Sequence, residues 1–200
     1  GALMHQRGLL PMHGSAIETS RGVVLFVGHT GAGKSTLAGA FHTRNYRVVT
    51  DDICVIARSS DGVPLAYPGY PEVRMTEDTT RRLNVNTSSL QKMVWRTKEK
   101  YLISVRERFS HTPLPLYAVY WLTVTDEQAI TLTPVEGIKK FEVLVTNTYW
   151  KKFLKGLGGG ANHFKLATAI AEHARITRAF RPREGFMLDE LVDALEQDFR

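Results

Sequence analysis

The chain has 200 residues, of which 43% are hydrophobic and 23% charged, an ordinary composition for one globular domain and a short length for two. Its formal charge of +6 suits a protein that handles triphosphates or an acidic partner. That charge is modest for nucleic-acid binding, and the sequence has no zinc-ligand spacing, RNA-binding signature or continuous basic arm. No apolar run approaches the ~20 residues of a membrane helix, and Gly1 to Arg7 lacks the apolar stretch of a signal peptide. A cytoplasmic protein working away from membranes is therefore expected. The lone Cys54 excludes an internal disulfide and reads as a buried small hydrophobe.

Leu9 to Ile17 reads as a short strand, and Thr19-Ser20-Arg21-Gly22 as a turn into a second strand, Val23 to Val27. The segment Gly28-His29-Thr30-Gly31-Ala32-Gly33-Lys34-Ser35 follows directly and matches GxxxxGK[ST] in full. A helix from about Lys34 to Thr43 comes next, so the loop has the strand-before, helix-after context that phosphate binding needs. Glycines let the backbone take positive φ and bring successive N–H groups to phosphate oxygens, and the helix N-terminus adds partial positive charge. Gly28, His29, Thr30, Gly31, Ala32, Gly33, Lys34, Ser35 and Thr36 are the expected nucleotide-binding set. Lys34 would reach the β- and γ-phosphates, and the Ser35 hydroxyl would ligate Mg²⁺.

Tyr46 to Thr50 reads as a strand that returns beside the loop and ends at Asp51-Asp52. Two adjacent carboxylates there have two readings. They terminate a strand and cap a turn, or they leave the strand in opposite directions, one toward a metal and the other toward an incoming hydroxyl. No Asn-Lys-x-Asp motif supports a GTPase, and Tyr46 to Thr50 only partly fits the apolar run before an ATPase acidic pair. Ile53 to Arg58 and Val63 to Tyr67 form a hairpin around Ser59-Ser60-Asp61-Gly62, and Thr76-Glu77-Asp78 opens a short helix.

Tyr101 to Val105, Leu116 to Val124 and Ile130 to Thr133 read as strands of a mixed sheet, with the second central. A helical stretch from about Gly137 runs toward Leu157 and meets Gly158-Gly159-Gly160, expected to be a flexible joint and a mobile element over the site. Phe164, Ala167, Ile170, Ala171 and Ala174 keep helical spacing, as do Leu188, Leu191, Val192, Leu195 and Phe199. Arg175, Arg178, Arg181 and Arg183 form the densest basic cluster, either a solvated face or a contact for phosphate or an acidic peptide. The whole chain, 1–200, reads as one domain with a nucleotide-binding core over about 8–136 and a helical part over about 137–200.

Four segments together resemble the catalytic domain of HPr kinase/phosphorylase: His13-Gly14, the loop Gly28 to Ser35, Val48-Val49-Thr50-Asp51-Asp52, and Pro71-Glu72-Val73-Arg74. The likeness is good from about residue 8 to 75 and weak beyond. It implies an α/β fold, a single P-loop kinase domain of the HPr kinase / phosphoenolpyruvate carboxykinase type, with a mixed central sheet and flanking helices. Carried over by position, it makes Asp51 the catalytic carboxylate that accepts the proton of a seryl hydroxyl, with Lys34 at the phosphates. Asp52 would join Ser35 around the divalent ion, Glu72 would complete the metal environment, and Arg74 would lie close to the phosphates. His13 matches a family histidine near the site, and a packed strand histidine is its equal alternative. Lys100 is a further lysine that the resemblance allows but does not assign.

The sequence departs from full-length HPr kinases in beginning almost at the catalytic core and in carrying Gly158 to Lys165 where they have a Pro-Gly-Arg-Asn-type segment. The short form and the His13-Gly14-Ser15-Ala16 opening look more like the stand-alone HPr-kinase-like enzymes of lasso-peptide biosynthesis, which phosphorylate a serine of a ribosomal precursor peptide. The resemblance thus implies an ATP- and Mg²⁺-dependent kinase acting on a serine-bearing peptide or small protein. HPr itself, a small-molecule acceptor, or a non-catalytic ATP-sensing role are the alternatives. Homo-oligomerisation is left open by the hexameric state of the full-length relatives.

Overall fold

The computed structural model describes residues 2–88, 90–95, 98–151, 159–185 and 187–200. In chain order, the first elements are α1 (Ala2–Gln6), β1 (Leu10–Thr19), β2 (Gly22–Gly28), α2 (Lys34–Thr43), β3 (Arg47–Thr50), β4 (Ile53–Arg58) and β5 (Pro64–Tyr67). Next come β6 (Glu72–Thr76), α3 (Glu77–Arg82), β7 (Lys92–Trp95), β8 (Lys98–Ser104), β9 (Leu114–Thr125) and β10 (Thr131–Pro134). The chain closes with α4 (Ile138–Thr146), α5 (Gly160–His173), β11 (Arg175–Pro182) and α6 (Leu188–Phe199).

The larger sheet runs β10-β11-β9-β2-β1-β4-β5, with β3 also paired to β1. It is mixed: β9 lies parallel to both β2 and β11, while β1 is antiparallel to β2, β3 and β4. The central place expected for the aromatic-rich β9 holds. Period-two alternation sends the two faces of β2 to different cores. Val24 and Phe26 pack with Leu37 and Phe41 of α2 and with Leu191, Leu195 and Phe199 of α6. Val23, Leu25 and Val27 pack with Val143 and Leu144 of α4 and Leu166, Ala167 and Ile170 of α5. Helices therefore cover both faces, and each fully buried leucine or phenylalanine contributes about 1.5–3 kcal/mol relative to exposure. The smaller sheet, β6-β8-β7, carries Val73 and Met75 into a third cluster with Val48, Val105 and Phe109. That packing fixes β6 beside the end of β3.

One edge of β1 positions the acidic pair. Ala16 is opposite Thr50 of β3 and His13 is opposite Ile53 of β4, so Ser15 and Gly14 stand opposite Asp51 and Asp52. The pair is thus a kink between two strands on the same edge of β1, rather than the end of a strand lying next to β2. Gly14 is required there, because a Cβ would come within 2.5 Å of the Phe26 carbonyl oxygen.

Two expectations are corrected. The helix that begins near Gly137 stops at Thr146, and residues 147–151 are not helical; the rest of the expected stretch, 152–157, lies outside the described residues. The Asn147 amide donates to the Val143 carbonyl and the Thr148 hydroxyl to the Leu144 carbonyl, closing off the last turn. The chain then attaches to β1, with His13 N–H bonded to the Asn147 carbonyl and Tyr149 N–H to the Pro11 carbonyl. Arg175 to Pro182, inside the part expected to be helical over about 137–200, is a strand. Of the three consecutive glycines, Gly160 opens α5, whereas Gly158 lies outside the described residues. Among the described residues no helix is long and apolar enough to cross a membrane.

Away from the acidic pair, His42 and His163 both have their pKa lowered, chiefly by burial, with Arg108 and His5 respectively pushing the same way. The unfolded chain, with histidines near the usual value of about 6.5, then binds more protons than the folded one as the pH falls through that value. The stability these neutral rings contribute is complete above about pH 6.5 and is lost as the pH drops toward their folded pKa values. Urea unfolding at about pH 7.5 and about pH 5.5 should give the lower midpoint at the acidic value. A higher acidic midpoint would contradict this.

Candidate functional site

The Gly-rich loop leaves β2 at the end where the parallel strands β2, β9 and β11 all terminate, the place where open α/β sheets collect ligands. Gly31 and Gly33 take φ of +88° and +105°, values open to glycine at no steric cost. Lys34 opens α2 and is 7% exposed. Its ammonium donates to the Gly28 and His29 carbonyls at 2.9 and 3.0 Å, which accounts for two of its three protons. Burial pushes the Lys34 pKa down and Lys100 adds to that, while Asp51 and Asp52 pull it back. From β11, Arg181 donates to the Ala32 and Gly31 carbonyls at 2.9 and 3.1 Å, which pins the loop.

Asp52 has φ of +79°, a left-handed conformation that aspartate tolerates better than most residues. The kink separates the two carboxylates. Asp51 accepts from the Ser15 hydroxyl at 2.5 Å and from the Arg74 N–H at 2.9 Å, so both of its oxygens are oriented. Asp52 accepts from the Arg74 guanidinium at 2.9 Å. His13 Nδ1 lies 3.0 Å from the Asp52 carbonyl and 3.5 Å from its carboxylate. A carbonyl can only accept, so Nδ1 carries the proton and Nε2 is the basic nitrogen of the neutral ring. Burial foremost, then Lys34, lowers the His13 pKa against the pull of both aspartates.

Two cavities meet here. One of about 440 Å³ lies toward α2 and α6 and is lined by the loop from Thr30 to Leu37 together with Arg181, Leu188 and Leu191. The other, of about 610 Å³, lies on the far side of the acidic pair and reaches Asp51, Trp121 and the segment Thr146 to Trp150. His13, Thr30, Ser35, Asp52, Arg74 and Lys100 line both and so form the junction. The sequence-derived set therefore converges on one cleft: Gly28 and His29 face the second cavity, while Gly31, Ala32, Gly33, Lys34 and Thr36 face the first. Glu72 lies apart. It shares a face of β6 with Arg74 and Thr76 but is exposed and lines neither cavity. Ser35 and Asp52 suit Mg²⁺, which takes few protein oxygens and completes its shell with water and phosphate.

Sequence reasoning left Ser15 without a role, left Arg181 between two readings and did not assign Lys100. Period two places Ser15 on the same face of β1 as His13, and that was a usable signal. The wall from Thr146 to Trp150 had none, because it depends on the unexpected helix end.

No protein-family model matches the chain, and no curated protein matches it in sequence. Among solved structures it is similar to the HPr(Ser) kinase/phosphatase from Coxiella burnetii, with a TM-score of 0.55 and 12% identity over 95% of this chain and 90% of that one. The likeness is one of fold: a mixed central sheet with flanking helices of the HPr-kinase kind.

Proposed function

We propose that the protein transfers the γ-phosphoryl group of ATP, with Mg²⁺, to the hydroxyl of a serine on a peptide or small protein. The observation that carries this reading is the position of Asp51: its oriented carboxylate opens on the 610 Å³ cavity, which Gly28, His29, Ser35 and Asp52 also line. The nucleotide would occupy the 440 Å³ cavity, its phosphates along the backbone N–H groups of the loop and its base toward Leu188 and Leu191. Ser35 and Asp52 would hold Mg²⁺, which when bound neutralises phosphate charge; Glu72, exposed and lining neither cavity, has the weaker claim to the metal environment.

The seryl oxygen attacks the γ-phosphorus in line, and its proton passes to Asp51 as the phosphorus–oxygen bond to ADP breaks. Lys34 and the loop N–H groups hold the charge that develops on the transferred group. Arg74 braces both aspartates at once, through its backbone to Asp51 and its guanidinium to Asp52. His13, bonded to the Asp52 carbonyl, fixes the kink and adds a neutral ring to the junction.

A lasso-type precursor peptide is the acceptor favoured here, with HPr, suggested by the solved neighbour, as the comparison substrate. Intact-mass measurement of each after incubation with the protein, ATP and Mg²⁺ should show the gain of one phosphoryl group on the precursor peptide. ATP binding without a mass gain on either would replace this reading with a nucleotide-sensing role.

A further inference from the structure

The wall that faces Asp51 across the second cavity differs in chemistry from the junction. Met93, Trp121, Asn147, Thr148, Tyr149 and Trp150 line that cavity alone, and none carries a charge. Of the charged groups around this cavity, Asp52, Arg74 and Lys100 also line the first and cluster where phosphate would lie, while Asp51 lines the second alone and faces the wall.

The aromatic part of the wall is built in place. Trp121 lies under the Arg178 guanidinium at 4.3 Å, and Arg178 in turn lies 4.4 Å from the Phe180 ring and donates to the Thr123 hydroxyl. Tyr149 is tied through its N–H to Pro11 and through its carbonyl to the His5 ring. Its own ring lies 5.8 Å from that of Trp150, which is 46% exposed. A cavity of about 610 Å³ holds more than one seryl side chain and falls within the range that accommodates a ligand of several residues' bulk.

Resting on the kinase reading above, we infer that this wall selects the residues beside the acceptor serine, taking an apolar or aromatic neighbour and discriminating against acidic and basic ones. A flanking phenylalanine or leucine would bury apolar surface against Trp121, Tyr149 and Trp150. A flanking carboxylate or ammonium would lose hydration against Met93, Trp121, Tyr149 and Trp150, none of which carries a charge to replace it, and a carboxylate would in addition face Asp51.

The test uses four serine peptides that differ only in the residue after the serine: phenylalanine, leucine, aspartate or lysine. Binding is read from quenching of tryptophan fluorescence in the presence of a non-hydrolysable ATP analogue, and transfer from kcat/KM with ATP and Mg²⁺. The apolar pair should exceed the charged pair by about tenfold in both readouts, corresponding to about 1.4 kcal/mol. In Trp150→Ala the advantage should shrink in kcat/KM, and Tyr149→Leu supplies the same comparison should the first variant not fold. Equal use of all four, preference for a charged neighbour, or no binding by any peptide overturns the inference. Ranked binding without transfer would retain the wall and reject the kinase reading; transfer without ranking would do the reverse.

Discussion

Asp51→Asn is expected to lower phosphoryl transfer by about 10²–10⁴-fold, the range that a positioned general base supplies, while ATP affinity changes little. Asparagine keeps the shape of the side chain and one acceptor oxygen but cannot take up a proton. Its amide must also face either the Ser15 hydroxyl or the Arg74 N–H, both of which donate to Asp51. Ser15 can rotate its hydroxyl to accept from that amide, so the kink should survive the change. The separation of effects is favourable because Asp51 lines the second cavity alone, whereas Gly31, Ala32, Gly33, Lys34 and Thr36 line the first alone. Single-turnover transfer, together with calorimetric ATP binding, checks the result. Full transfer at unchanged ATP affinity would remove Asp51 from the chemistry and return the pair to a turn cap.

The elements around the Gly-rich loop were legible because local signals agreed. Glycines at positive-φ positions, an apolar strand before them and good helix formers after them pointed the same way, and α2 begins and ends where the sequence placed it. The acidic pair was legible as chemistry but less so as geometry. Its neighbours on β1 are fixed by a register that only the pairing of β3 and β4 reveals. β11 fell inside the part read as helical, about 137–200, because the parallel partner that makes the segment a strand, β9, lies fifty-seven residues away in sequence. The end of α4 was misread because Asn147 and Thr148 act through their side chains on the preceding turn, an effect that apolar periodicity does not register. Both misreadings hid parts of the cleft: Arg181 against the loop, and the wall that follows Thr146.

Lys34 should show the second large effect, and its variant separates charge from architecture. Lys34→Met keeps an unbranched stem of similar bulk but removes the ammonium, and transfer should fall by about 10²–10³-fold, as for removal of one preorganised donor at a developing charge. The same change leaves the Gly28 and His29 carbonyls without the donor they now share, so folding stability should also fall, by about 1–3 kcal/mol. The two losses have different origins and can be told apart. Binding of ADP, which lacks the γ-phosphate, should weaken less than binding of ATP, whereas collapse of the loop would weaken both alike. Lys34→Arg is expected to rescue little, because a planar fork cannot place point-like donors on two successive carbonyls and a phosphate from a stem that is only 7% exposed. Substantial transfer by Lys34→Met, with the loop intact by thermal unfolding, would mean that the charge on the transferred group is held elsewhere in the junction. Arg74 and Lys100, which line both cavities, would then be the groups to replace.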